Sequence, residues 1–122
     1  MTDDRADFVL LPVDGPASYG RLGPGESTYQ AIRRQVPDLG TQGAGRLRLW
    51  FPDQFRDASG RYLFPPNPLA DRVVSRLGYR LAGGWYGPVA ISMEEETATG
   101  EIPPLSPEVR ATIDELTAQN ER

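Results

Sequence analysis

The residues best able to do chemistry in this sequence are carboxylates, tyrosines and arginines. Histidine, cysteine and lysine are absent, and all thirteen basic side chains are arginine. That alphabet excludes a zinc site of the usual ligands, a thiolate nucleophile and a Ser-His-Asp triad. It also excludes a lysine Schiff base and a P-loop. Three local patterns remain. Glu94-Glu95-Glu96 could gather around Mg²⁺ or Ca²⁺, but consecutive carboxylates on an extended chain point to alternating sides and converge poorly on one ion. A solvated acidic linker is the preferred reading, and no metal is expected. Gly83-Gly84-Trp85-Tyr86-Gly87 has the glycines of a phosphate loop but neither its lysine nor its following helix, and reads as a hairpin turn. Asp53 and Asp57 could shuttle protons, yet nothing in their spacing fixes a productive distance, and carboxylates at a turn are ordinary. The sequence therefore points away from an enzyme, and no cofactor is expected.

Binding is the better-supported class. Trp50, Phe51, Phe55, Tyr62, Phe64, Trp85 and Tyr86 lie near several arginines in the chain, and stacked aromatics flanked by arginine are the working parts of single-strand nucleic-acid binders. A small core needs aromatics as well, so exposure decides between the two. If Trp50 and Tyr62 share an open face with Arg46, Arg48 and Arg61, nucleic-acid binding gains ground; if they are buried, it fails. Charge bears on the same question. Residues 21–80 carry ten arginines against five acids, and residues 91–122 carry two against eight. Such asymmetry suits a basic face beside an acidic tail, or two parts of one fold that attract and dock. The net charge of −4 works against tight phosphate binding and favours docking.

The elements that must position these residues follow from periodicity and punctuation. Phe8–Val13 is an apolar first strand, with Pro12 near its exit. Ser27-Thr28-Tyr29-Gln30 is a capping box that opens a helix burying Ile32, with Tyr29 and Val36, exposing Arg33 and Arg34, and stopped by Pro37. Gly40, Gly43 and Gly45 make a flexible bridge. In Arg46–Phe51 the first four residues alternate, with Leu47 and Leu49 on one side and Arg46 and Arg48 on the other, and the run pairs with Arg61–Phe64 as an irregular hairpin. Asn67 caps a helix with Pro68 in its first turn, Leu69, Val73, Val74 and Leu77 inward, Asp71, Arg72 and Arg76 outward, and Gly78 at its end. A short strand at Tyr79–Leu81 and a last strand at Trp85–Met93 follow. Ser106 caps a C-terminal helix whose apolar residues form one narrow stripe, Val109, Ile113 and Leu116.

These elements predict an α+β fold: a small, mainly antiparallel sheet of four or five strands, two packed helices and a C-terminal amphipathic helix. The domain is expected over residues 1–93, an acidic linker over 94–105 and the helix over 106–122. The acidic N-terminus lacks the pattern of a signal peptide, and the longest apolar run falls far short of the roughly 20 residues a membrane helix needs. A cytoplasmic protein without a membrane partner is expected.

Val9-Leu10-Leu11-Pro12-Val13, Tyr29-Gln30-Ala31-Ile32, Asn67-Pro68-Leu69-Ala70 and Gly87-Pro88-Val89-Ala90-Ile91, in that order and spacing, resemble a family of small domains of unknown function from actinobacteria, their phages and plasmids. The likeness covers residues 7–93. It implies a place on mobile or accessory DNA and carries over no catalytic residue. Asn67 matches a recurrent asparagine of the pattern, for which a helix cap is sufficient reason.

The function expected is that of a non-catalytic accessory protein of a phage or mobile element acting by protein–protein interaction. Val109, Ile113 and Leu116 would enter a groove on a host protein or a second copy of the chain. The alternative is a nucleic-acid-binding module over residues 33–64, using Arg33, Arg34, Arg46, Arg48, Arg61, Trp50 and Tyr62.

Overall fold

A computed structural model describes residues 6–54, 56–79, 84–95 and 102–120. The apolar segment Phe8–Leu11 is β1, and its burial on both faces reflects its place inside the sheet. Ser18–Gly20 returns antiparallel as β2. The helix α1, Thr28–Arg33, starts where the capping box places it: Gln30 N donates to Ser27 Oγ at 3.1 Å, and Ser27 N donates to Gln30 Oε1 at 3.0 Å. Then come β3, Leu39–Ala44, and β4, Leu47–Pro52, joined by Gly45-Arg46. α2 spans Pro68–Arg76, β5 spans Val89–Met93 and α3 spans Pro107–Asn120. The sheet order is β2-β1-β5-β4-β3, with every pair antiparallel, so the α+β class read from the sequence is the observed one.

Alternation along the strands assigns the two faces. Val9, Leu11, Leu47, Leu49, Val89, Ile91 and Met93 meet Leu69, Val73 and Val74 of α2 and Val109, Ile113 and Leu116 of α3 in one core. Phe8, Trp50 and Ala90 face the other way and meet Ala31, Ile32 and Val36. The strands are therefore covered on both sides. That is why β1 and β5 read as continuous apolar runs rather than as alternating ones.

The cap of α2 ties the layers together. Asn67 is fully buried; its Oδ1 accepts from Ala70 N at 3.0 Å, and its Nδ2 donates to Leu11 O at 2.9 Å and to Gly87 O at 2.8 Å. One side chain thus caps a helix and satisfies carbonyls at the ends of two strand segments. Gly78, at φ +100°, ends the helix in the left-handed conformation that only glycine adopts readily.

Several elements differ from the sequence expectation. The glycine-containing bridge is the regular strand β3, and Ser18–Gly20, where the sequence announced no element, is β2. β4 pairs with β3 and β5, so both its edges are used and no hairpin forms with Arg61–Phe64. Residues 56–62 close instead into a small loop with the single bridge Arg56↔Tyr62. Tyr79 is not in a strand, and Arg80, Leu81 and Gly83 lie outside the described residues, as does Phe55. The last strand begins only at Val89. Tyr29 is 48% exposed because the inner face of the one-and-a-half-turn α1 is filled by Ala31 and Ile32. Asp71 is half-buried, since its carboxylate accepts from Trp85 N at 2.6 Å.

Candidate functional site

The stripe expected to enter a partner's groove enters the chain's own core. Val109, Ile113 and Leu116 are 4%, 0% and 2% exposed, and α3 lies against α2. The physical reason is proximity: the narrow apolar face that marks a partner helix also completes a half-covered sheet, and this sheet is tethered to it. Polar contacts at the rim keep the helix in register. Tyr19 donates to Asp114 Oδ1 at 2.6 Å, and Arg110 lies over the Tyr19 ring at 5.0 Å. Burial, followed by the Asp114 carboxylate, pushes the Tyr19 phenol far above its ordinary value. Arg72 donates to Gln119 at 2.8 Å. Leu105, within the expected linker, is buried and donates its N–H to Ala6 O at 2.8 Å. Residues 96–101, the middle of that linker, lie outside the described residues. The charge asymmetry resolves in the same way, with Arg48 bound to Glu94 at 3.0 Å and Arg76 facing Glu115 at 3.6 Å.

The structure divides the arginine- and aromatic-rich segment. Trp50 is buried, and its Nε1 donates to Ser92 Oγ at 2.9 Å. Arg48 stands on the same face and is bidentate to Glu94, Nε to Oε1 and Nη2 to Oε2, both at 3.0 Å. Its Nη1 also donates to Thr41 at 3.2 Å. This guanidinium holds the Glu94 carboxyl below the ordinary carboxylate range. Tyr29, Arg48, Trp50, Glu94 and Ile102 border a cleft of about 290 Å³ beside α1. Its central charges neutralise each other, which leaves little to attract a phosphate. Arg33 lies 5.7 Å from the Tyr29 ring centre, and Arg34 is bound to Glu26 at 2.8 Å. Arg46 and Arg61 are exposed, Arg46 at the β3–β4 turn and Arg61 in the 56–62 loop. The open face that would join Trp50 and Tyr62 to these arginines is not formed, because Trp50 fills the space between the sheet and α1.

Tyr62 belongs to a different assembly. Asp57 organises the loop: its Oδ1 accepts from Ser59 Oγ at 2.6 Å, Ser59 N at 2.9 Å and Arg61 N at 3.0 Å. Those bonds, that from Ser59 Oγ foremost, hold its carboxyl below the ordinary value, which makes it a structural acceptor and a poor proton acceptor for catalysis. The loop sets Arg56 opposite Tyr62, and the bridge Pro66↔Tyr86 brings in the second ring. The two rings stack with centres 3.9 Å apart and planes 12° apart. Arg56 lies over Tyr62 at 4.6 Å and donates to its hydroxyl at 2.6 Å. Tyr62 is thus committed to two neighbours of its own chain, one ring face to Tyr86 and its hydroxyl to Arg56. The bond from Tyr86, then that from Arg56, lowers the Tyr62 phenol below its ordinary value, while donation to Tyr62 raises that of Tyr86. Beside the stack, Leu63 is 50% exposed. Arg56 is the member that sequence reasoning missed; its position six residues before Tyr62, across an Asp-Ala-Ser-Gly turn, is the local signal that pairs them.

Among the described residues, no group of three carboxylates comes together to hold a metal, and no helix is long and apolar enough to cross a membrane. No family model, curated protein or solved structure matches the chain.

Proposed function

We propose that this chain is a non-catalytic accessory protein of a phage or mobile element that acts by binding another protein. The observation carrying the binding part is the assembly of exposed Tyr62 and Arg56 on half-buried Tyr86, with exposed Leu63 next in the chain. Tyrosine and arginine are the residue types in which interface binding energy concentrates, and here they are held rigid before any partner arrives. Because α3 is spent within the fold, this surface takes the place first given to Val109, Ile113 and Leu116. The non-catalytic part rests on the missing histidine, cysteine and lysine, and on Asp57 being committed to its turn. The mobile-element part rests on the resemblance alone.

The test compares the wild-type chain with Tyr62→Ser/Leu63→Ser as baits in lysate of the source cells. In parallel, both are titrated with short single- and double-stranded DNA at low and moderate salt. The expected result is a protein retained by wild type and lost by the variant, whose thermal melting confirms that it stays folded. A DNA complex that weakens steeply with salt, or no protein partner sensitive to the two substitutions, overturns the reading.

A further inference from the structure

β3 is an outer strand of the sheet, and its outer edge has no partner among the described residues. The phase of its hydrogen bonds fixes what that edge presents. Asp53 N donates to Asp38 O at 2.8 Å, so Gly40↔Phe51, Gln42↔Leu49 and Ala44↔Leu47 are the pairs that exchange bonds with β4. Leu39, Thr41 and Gly43 therefore aim their N–H and C=O groups away from the sheet. Pro52 agrees with this phase, because it stands opposite Leu39, where no N–H is required.

Exposed edges are ordinarily blunted by charge, proline, bulges or shortness. β3 has none of these: it is six residues of LGTQGA, paired with β4 residue for residue. Its surroundings are polarised instead. At the turn end, Arg46 has a side chain 79% exposed, and its salt-bridge partner Glu108, at 3.7 Å, is as open. At the other end stand Asp38 and Asp53, both exposed, with Asp53 lying over Gly40.

We propose that β3 pairs antiparallel with β3 of a second copy of this chain, about a two-fold axis at Thr41. Leu39 then faces the partner's Gly43, Thr41 faces the partner's Thr41, and each opposed pair exchanges both of its hydrogen bonds. The charges select this partner and this direction. Antiparallel pairing brings each Arg46 turn to the partner's Asp38 and Asp53, whereas parallel pairing sets like beside like. The same patch meets itself, as a closed two-fold dimer requires, and the edge is used up without leading to a fibre. Edge pairing of this length falls below the roughly 1,200 Å² of stable interfaces, so the dimer is a weak one that fills at high concentration. It uses neither Tyr62 nor Leu63 and stands or falls separately from the binding reading above.

The experiment is sedimentation velocity on the full chain from micromolar to millimolar concentration, with amide exchange followed by NMR over the same range. The sedimentation coefficient should rise, and the amides of Leu39, Thr41 and Gly43 should gain protection in step with it. Thr41→Glu sets a carboxylate beside Arg48 in the monomer but opposes two of them at the axis, and should weaken the dimer about fivefold. Arg46→Asp should weaken it as well, and Arg46→Asp with Asp53→Arg should restore it. A chain monomeric throughout overturns the proposal. So does a dimer that ignores Thr41→Glu while the three amides stay unprotected.

Discussion

Arg48 and Glu94 show how much one pair settles at the scale of the residue. Their bidentate contact lies across the end of β5, and a Cβ on Gly43 would come within 2.9 Å of Glu94 Oε2. A small residue in β3 is thus part of the same device. Because Arg48 holds the Glu94 carboxyl below its ordinary 4.5, the pair's contribution is fully present above that value. It is lost as pH falls through the folded-state value. Glu94→Gln should therefore melt lower than wild type at neutral pH, by on the order of 1 kcal/mol of stability. The gap should close on acidification, as melting curves across the acid range will show. Tyr62 and Tyr86 make a second prediction. Their phenols titrate in a fixed order, Tyr62 below the ordinary 10.0 and Tyr86 above it, because one accepts and the other donates. Arg56→Ala should move the Tyr62 midpoint upward, which ¹³C NMR of the ring carbons reads directly.

The elements differ in how far their own residues announce them. Ser27 with Gln30, and Asn67 with Pro68 and Gly78, were legible because capping is local: the groups that bond lie within a turn of each other. Truncating that cap tests its reach beyond α2. Asn67→Ala removes the N-cap acceptor and leaves the buried carbonyls of Leu11 and Gly87 without the amide they share, a loss of about 3 kcal/mol in urea unfolding. β3 was not legible, because an outer strand with exposed Thr41, Gln42 and Gly43 has no apolar alternation to show, and its extended shape is imposed by β4. For the same reason β4 displayed its faces but not its neighbours: alternation tells which side is buried, while pairing is decided by distant chain. The two-residue turn between β3 and β4 carries a prediction of its own. Gly45 has φ +62°, and a Cβ there would collide with the Tyr79 hydroxyl. Gly45→Ala should cost about 2 kcal/mol, and adding Tyr79→Phe should recover the part due to the collision but not the part due to backbone strain.

At the scale of the whole molecule, the question is why a stripe that was visible in the sequence was given the wrong partner. Val109, Ile113 and Leu116 satisfy a foreign groove and a half-covered sheet equally well, and periodicity describes only the helix. What decides is the remainder of the core. The β1, β5 and β4 residues facing α2 need more cover than that nine-residue helix gives, and α3 supplies it from within the chain. The acid-rich end and the arginine-rich middle are drawn together by the same docking, so the asymmetry that suggested a basic face for nucleic acid becomes a property of one fold. The helix is then structural, and its removal should act on stability before it acts on any partner. Ile113→Ala leaves a cavity at a fully buried site and should lower the unfolding free energy by about 2–5 kcal/mol. A chain ending at Met93 loses Leu105 and the whole stripe together, which exposes Val73, Val74 and Ile91 to water. It should lose cooperative thermal melting and bind a hydrophobic dye. A truncated chain that instead melts cooperatively near the wild-type temperature would return α3 to the role of an independent helix and reopen its apolar face to a partner.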